Sequence, residues 1–147
     1  MSAGNAEREI LLIEDNRTDA RVIVNALQTA NVIGTINHCY SGEEAIEYLM
    51  NRSVGHGIVQ PAMILLDLSM PGLAGLDVLK VVKTTAKLRS IPVVMLTTSD
   101  EPSDVNACFA AGANSYIKKP VGIARYAQVA EGLASYWFDL SKIPELA

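Results

Sequence analysis

Five short, largely apolar runs recur along the chain, at residues 10–13, 35–39, 63–66, 93–96 and 115–117, with longer stretches of helical periodicity between them. Apart from residues 35–39, which alternate as an edge strand would, the runs are continuous. Continuous hydrophobicity marks strands covered on both faces, and such strands belong to parallel sheets with helices on each side. Few architectures accept that pattern in a chain of this size.

The intervening segments read as helices. Residues 17–30 place Ile23, Ala26, Leu27 and Ala30 on one face, at spacings of three, four and seven. Ser41 followed by Glu44 has the form of a capping box. A third helix is expected over residues 76–83, burying Leu76, Leu79 and Val82. A fourth follows Pro102 and Ser103 and ends at Gly112, a suitable left-handed cap. The last and longest, over residues 123–138, carries the stripe Tyr126, Val129, Ala130, Leu133 and Trp137. Residues 51–60, with two glycines and Pro61 just beyond, read as an extended surface loop. Five β-α units with right-handed crossovers predict an α/β fold, a doubly wound five-stranded parallel sheet of order 2-1-3-4-5.

Size and composition narrow the function. The 147 residues suit one domain. Half are hydrophobic, and 19% are charged, so a packed core is expected. A net charge of −4 with no basic stripe speaks against nucleic acid as a partner. Cys39 and Cys108 show no metal-ligand spacing and read as buried free thiols of a reducing cytosol. No apolar run reaches the ~20 residues needed to span a bilayer. The chain is expected to be soluble and cytoplasmic, with no membrane partner.

The chemistry-bearing residues lie where strands end. The first run leads into Glu14-Asp15, the third into Asp67, the fourth into Thr97-Thr98-Ser99 and the fifth into Lys118-Lys119-Pro120. In an open α/β sheet, ligands bind beyond the carboxyl ends of the strands, at the point where strand order reverses. Here that crevice opens between Glu14-Asp15 and Asp67. Three converging carboxylates raise one another's pKa unless a cation neutralises them. Mg²⁺ meets that need with oxygen ligands. Asp67, at the centre, suits nucleophilic attack on phosphorus, giving an aspartyl phosphate. Lys119 offers a point charge, and Thr97 a hydroxyl, to phosphoryl oxygens. Each group alone has a plainer reading: a helix cap for Glu14-Asp15-Asn16, a turn for Thr97-Thr98, a solvated pair for Lys118-Lys119. Their joint placement at one sheet edge favours function.

The set Glu14-Asp15, Asp67 with Met70-Pro71-Gly72, Thr97, Tyr116 and Lys119-Pro120 resembles the receiver domain of two-component response regulators, a CheY-like, flavodoxin-like fold. On this resemblance residues 1–8 are a flexible N-terminus, 9–134 the receiver domain, and 135–147 an extension of the last helix plus a tail. The resemblance implies a phosphoprotein of a phosphorelay in which Asp67 accepts a phosphoryl group from a sensor histidine kinase. It implies Mg²⁺ held by Glu14, Asp15, Asp67 and the backbone carbonyl of Ser69, with Thr97 and Tyr116 as a coupled switch. Lys119 becomes the phosphate-binding lysine, preceding a cis peptide to Pro120. Such a chain is no enzyme beyond self-catalysed phosphotransfer and autodephosphorylation. Glu14 replaces a commoner Asp, and Val121 an aromatic.

The tail from Tyr136-Trp137-Phe138 to Ile143-Pro144, together with the long loop, is similar to single-domain regulators paired with bacterial phytochrome kinases. A kinase of that type is therefore implied. The apolar tail residues Phe138, Leu140, Ile143 and Leu146 lie beyond the expected end of the fold, and an apolar patch of this kind marks an interface. A homodimer through the fourth helix, fifth strand, fifth helix and tail is expected; folding of the tail onto its own domain is the alternative. A haloacid-dehalogenase-type phosphatase would want a second acid two residues after the nucleophile, where Ser69 stands. A pseudo-receiver would not need the full acidic set, and a flavodoxin-like cofactor binder would want Gly, Ser or Thr after the first strand.

Overall fold

The computed structural model describes residues 8–30, 34–52 and 60–144. Five strands, β1 (Glu9–Ile13), β2 (Thr35–Cys39), β3 (Met63–Leu66), β4 (Val93–Thr97) and β5 (Ser115–Lys118), alternate with five α-helices. These are α1 (Arg17–Thr29), α2 (Gly42–Asn51), α3 (Gly75–Thr84), α4 (Pro102–Ala110) and α5 (Ile123–Ser135). All strand pairs are parallel, in the order β2-β1-β3-β4-β5, as expected. Residues 1–7, 145–147 and most of the 51–60 loop, on which the expectations of a flexible N-terminus, a tail end at Leu146 and a surface loop fall, lie outside the described residues.

The continuous apolar strands are explained by their two covered faces. Leu11, Ile13, Ile64, Leu66, Val93 and Met95 pack with Ala45 and Leu49 of α2, Val78, Leu79 and Val82 of α3, and Cys108 of α4. The alternate residues Ile10, Leu12, Met63, Leu65, Val94 and Leu96 pack with Ala20, Ile23 and Leu27 of α1 and Ala130 and Leu133 of α5. Each fully buried Leu or Ile contributes roughly 1.5–3 kcal/mol relative to exposure. β2 and β5, the edge strands, are only partly buried.

Caps place the helices over the sheet. Asn16 Oδ1 accepts the Asp19 amide at 2.9 Å and starts α1 directly after the acids at the end of β1. Ser41 Oγ accepts the Glu44 amide at 3.1 Å, while Glu44 Oε1 accepts the amide of Tyr40, one residue before the reciprocal capping-box position. At the end of α4, Gly112 has φ +106°, with Ala113 N donating to Cys108 O and Gly112 N to Phe109 O, each at 3.0 Å. That is the Schellman arrangement the glycine predicted.

The C-terminus departs from the expected single helix. α5 stops at Ser135, and residues Tyr136–Leu140 continue as a π-helical turn. The wider turn lets Trp137 and Phe138 pack against the α1/α5 core, with the Arg8 guanidinium 5.9 Å from the centre of the Phe138 ring. Tyr136 and Leu140 face outward. Part of the tail therefore folds onto its own domain, and part does not. No helix among the described residues is long and apolar enough to cross a membrane.

The start of α3 packs directly under the loop that carries Asp67. A Cβ on Gly75 would lie 2.0 Å from the Asp67 carbonyl oxygen and 2.7 Å from Leu68 Cα. Gly75→Ala should therefore cost about 1–3 kcal/mol of stability by overpacking. Urea unfolding measures it, and an unchanged midpoint would show that this backbone yields freely.

Candidate functional site

The crevice at the carboxyl ends of β1 and β3 is built from backbone pairing outward. The Asp67 amide donates to Ile13 O at 3.0 Å, and the Glu14 amide to Cys39 O at 3.1 Å. Both acids are thereby still registered to the sheet as they leave it. Their side chains are buried: Glu14 is 0% exposed and Asp67 5%. Glu14 Oε2 accepts the Asn16 amide at 3.1 Å, and Asp67 Oδ1 the Ser69 amide at 3.2 Å. On the other side of Glu14, His38 Nε2 lies 2.7 Å from the Glu14 carbonyl oxygen and donates to it.

Lys119 is the cation these groups share. Its amide donates to Thr97 O at 2.6 Å, so its Cα is fixed just beyond β5. Its ammonium lies 2.7 Å from Glu14 Oε1, 2.9 Å from Asp19 Oδ2 and 3.3 Å from Asp67 Oδ2. Burial pulls this ammonium down. The hydrogen bonds to Asp19 and Glu14 and the charges of Asp67 and Glu14 outweigh it, holding Lys119 above the ordinary lysine range. Burial pushes the Glu14 carboxyl up to about 7, against the hydrogen bond from Lys119; the nearby Asp67 charge adds to the rise.

Several residues singled out in the sequence meet here. Glu14, Asp15 and Asp67 each offer a carboxylate oxygen, all within 4.8 Å of one another. Ligand oxygens around an octahedral Mg²⁺ stand about 3–4 Å apart, so the set fits a hard divalent cation with slight contraction. The donors are all oxygen, which suits Mg²⁺ or Mn²⁺ over a soft metal. Thr97, at the end of β4, is 0% exposed, and its hydroxyl has no hydrogen-bond partner. A buried unpaired hydroxyl is costly unless a ligand answers it. Tyr116 turns elsewhere: its hydroxyl donates to Ser99 O at 2.8 Å, and its ring packs against the α2/α3/α4 core. Lys118 points to solvent and pairs with Asp100 at 2.9 Å.

Two points differ from the sequence reading. The Lys119–Pro120 peptide is trans, not cis; no cis peptide bond occurs among the described residues. Gly122, two residues beyond Pro120, takes φ +92°. The trans bond follows the intrinsic preference of an X–Pro bond, about 0.5–1 kcal/mol. Asp19 was missed altogether. An acid in the first turn of a helix reads as a complement to the helix dipole, and nothing local marks that it faces a lysine a hundred residues away.

Comparison with known proteins agrees with this geometry. Residues 10–131 match the response regulator receiver domain family. The chain is 36% identical over 135 residues to the probable methanogenesis regulatory protein FilR2 of Methanothrix harundinacea, covering 92% of this chain and 86% of that one. It is 31% identical to response regulator Rcp1 of Synechocystis sp., with 95% of each chain covered. The Mn²⁺-bound form of Rcp1 superposes with a TM-score of 0.83, over 93% of this chain and 99% of that one. The phosphorylated cyanobacterial phytochrome response regulator RcpA superposes with a TM-score of 0.85 at 33% identity, covering 95% of this chain and 100% of that one.

The raised Glu14 carboxyl has a signature in stability. Between its ordinary value of 4.5 and about 7, the folded protein holds a proton that the unfolded chain has released. Its contribution is fully present below pH 4.5 and is lost as pH rises to about 7. Thermal melting in chelator should show stability declining across that window, and Glu14→Gln should flatten the decline. A variant with the same slope as the parent would assign the effect to another group.

Proposed function

This chain belongs to the response regulator receiver family, and from that membership we propose that it is a single-domain response regulator phosphorylated on Asp67. The observation that carries the assignment is the buried Lys119 ammonium drawn onto Asp67 and Glu14 beside an unpaired Thr97 hydroxyl. A carboxylate oxygen of Asp67 attacks the phosphorus of a kinase phosphohistidine. The new O–P bond forms as the P–N bond breaks, and the electron pair of that bond stays on the imidazole nitrogen. Lys119 and Thr97 bind the phosphoryl oxygens, and burial keeps competing water out. Glu14, Asp15, Asp67 and the backbone carbonyl of Ser69 would hold Mg²⁺, which would supply charge neutralisation for the same oxygens. Rcp1 in its Mn²⁺-bound form supports the metal, and phosphorylated RcpA supports the phosphoacceptor role.

The phosphodonor is a histidine kinase of the phytochrome type, a reading supported by likeness to Rcp1 and to the phytochrome regulator RcpA over nearly the whole chain. The protein acts in the cytoplasm as a phosphoacceptor, not as an enzyme with an external substrate, and binds neither nucleic acid nor membrane. Thr97 and Tyr116 form its switch. It assembles as a homodimer through α4, β5, α5 and the tail. Outward-facing Phe109, Tyr136 and Leu140 support that surface, as does a groove of about 310 Å³ between the β5 edge and α5, lined by Ile117, Val129, Leu133 and Trp137.

Acetyl phosphate with Mg²⁺ should label the wild type, and Asp67→Asn should abolish labelling while leaving the far-ultraviolet spectrum unchanged. Labelling of the variant at the wild-type level would identify another acid as the acceptor. Leu140 is 75% exposed, so Leu140→Asp should alter folding stability by no more than about 0.5 kcal/mol. It should nevertheless shift the protein from dimer toward monomer in light scattering. A wild type that is monomeric at high micromolar concentration, with and without beryllofluoride, would refute the dimer.

A further inference from the structure

Lys119 touches three carboxylates that are not equivalent. Glu14 and Asp67 belong to the acidic triad, and their side chains are 1% and 6% exposed. Asp19 stands outside the triad, in the first turn of α1, with its side chain 35% exposed. Among the described residues, its carboxylate has no other hydrogen-bond or ion-pair partner. We propose that Asp19 is a positioning residue that receives the Lys119 ammonium when a divalent cation takes Glu14 and Asp67, so that the lysine stays poised at the mouth of the site. The proposal rests on the reading of the crevice as a Mg²⁺-dependent phosphoacceptor site and extends it to a residue outside the acidic set.

The need for such a residue follows from charge. An ammonium against Glu14 Oε1 and Asp67 Oδ2 occupies oxygens that the cation requires, and two like charges on one pair of carboxylates repel. Lys119 cannot withdraw far, because its amide is tied to Thr97 O at 2.6 Å. Its side chain can only swing about that anchor, and Asp19 lies at 2.9 Å within the swing. Asp19 itself is fixed by its amide bond to Asn16 Oδ1, and the start of α1 stabilises its negative charge. A lysine with no such acceptor would stay on the triad and compete with the metal.

Titration of Mg²⁺ by calorimetry, with thermal melting in chelator to verify folding, tests this. Asp19→Asn should weaken Mg²⁺ binding by about tenfold, the scale of outer ligand-orienting contacts. Asp19→Glu should restore it. In a Lys119→Met background the same Asp19→Asn change should cost no more than about twofold, because the partner through which Asp19 acts is gone. An equal loss in both backgrounds would mean that Asp19 acts by its field alone, and unchanged affinity in the Lys119 background would mean it is not needed; either overturns the inference while leaving the phosphoacceptor reading intact. A wild type that neither binds Mg²⁺ nor is labelled on Asp67 would overturn the reading itself, and the inference with it.

Discussion

Two carboxylates withdrawn from water at the carboxyl edge of the sheet demand a cation, and the geometry of the crevice follows from meeting that demand. Glu14 and Asp67 are buried because β1 and β3 are neighbours at the strand-order reversal and because both acids remain paired to the ladder as their strands end. Burying a charge without a partner costs several kcal/mol. Lys119 supplies the partner from the far side of β4, a hundred residues from Asp19 along the chain and within 3.3 Å of all three acids it serves. The site is therefore poised rather than relaxed. The single ammonium offsets only part of the acids' charge, and on the proposed reading a dication or a phosphoryl group would enter by redistributing that ammonium.

The same balance explains why the rest of the molecule can be so apolar. Apart from Glu9 and the crevice, the central strands β1, β3 and β4 carry only Ile, Leu, Val and Met on both faces. Two polar clusters elsewhere are tied off locally. At the opposite end of β1, buried Glu9 accepts from Tyr48, from Asn37 Nδ2 at 2.9 Å and from the Arg52 guanidinium at 2.9 Å. Lys83 closes the turn before β4, donating to Arg89 O, Ile91 O and Asn114 Oδ1. Charge at these places is used to pin chain segments, whereas the crevice keeps an unpaired hydroxyl at Thr97.

What could be read from the sequence was whatever one stretch of chain determines by itself. Strands β1, β3 and β4 declared themselves because both faces are covered, and β2 declared itself an edge by alternating. Gly112 as a left-handed cap and Ser41 as an N-cap are decisions of three to five residues, and they were legible for that reason. What could not be read was whatever depends on distant chain. The Asp19–Lys119 pair spans a hundred residues and carries no local mark. The trans isomer of the bond before Pro120 likewise carries no mark in the local sequence. The stripe Tyr126, Val129, Ala130, Leu133 and Trp137 does pack on the α1/α5 core, but the π-helical turn at Tyr136–Leu140 and the packing of Phe138 lie outside what regular helical spacing anticipates.

The path by which the crevice can reach a distant face is short and made of few contacts. Thr97 ends β4, and the next turn carries Ser99, whose carbonyl accepts the Tyr116 hydroxyl and whose own hydroxyl donates to Asp104 Oδ2 at 2.5 Å in the first turn of α4. One loop thus joins the unpaired hydroxyl, the aromatic of β5 and the start of α4. The Tyr116 ring lies against the same core cluster as Cys108 of α4. On the proposed reading, a pull on Thr97 toward Asp67 would move the turn that holds both the Tyr116 hydroxyl and the α4 N-terminus. Because packed cores shift between discrete arrangements rather than deforming smoothly, that reading has the ring and the helix moving together. On the proposed reading a charge change at Asp67 and the surface of α4 and β5 would be two ends of one mechanical element, with Thr97 and Lys119 as its polar handles on the crevice side.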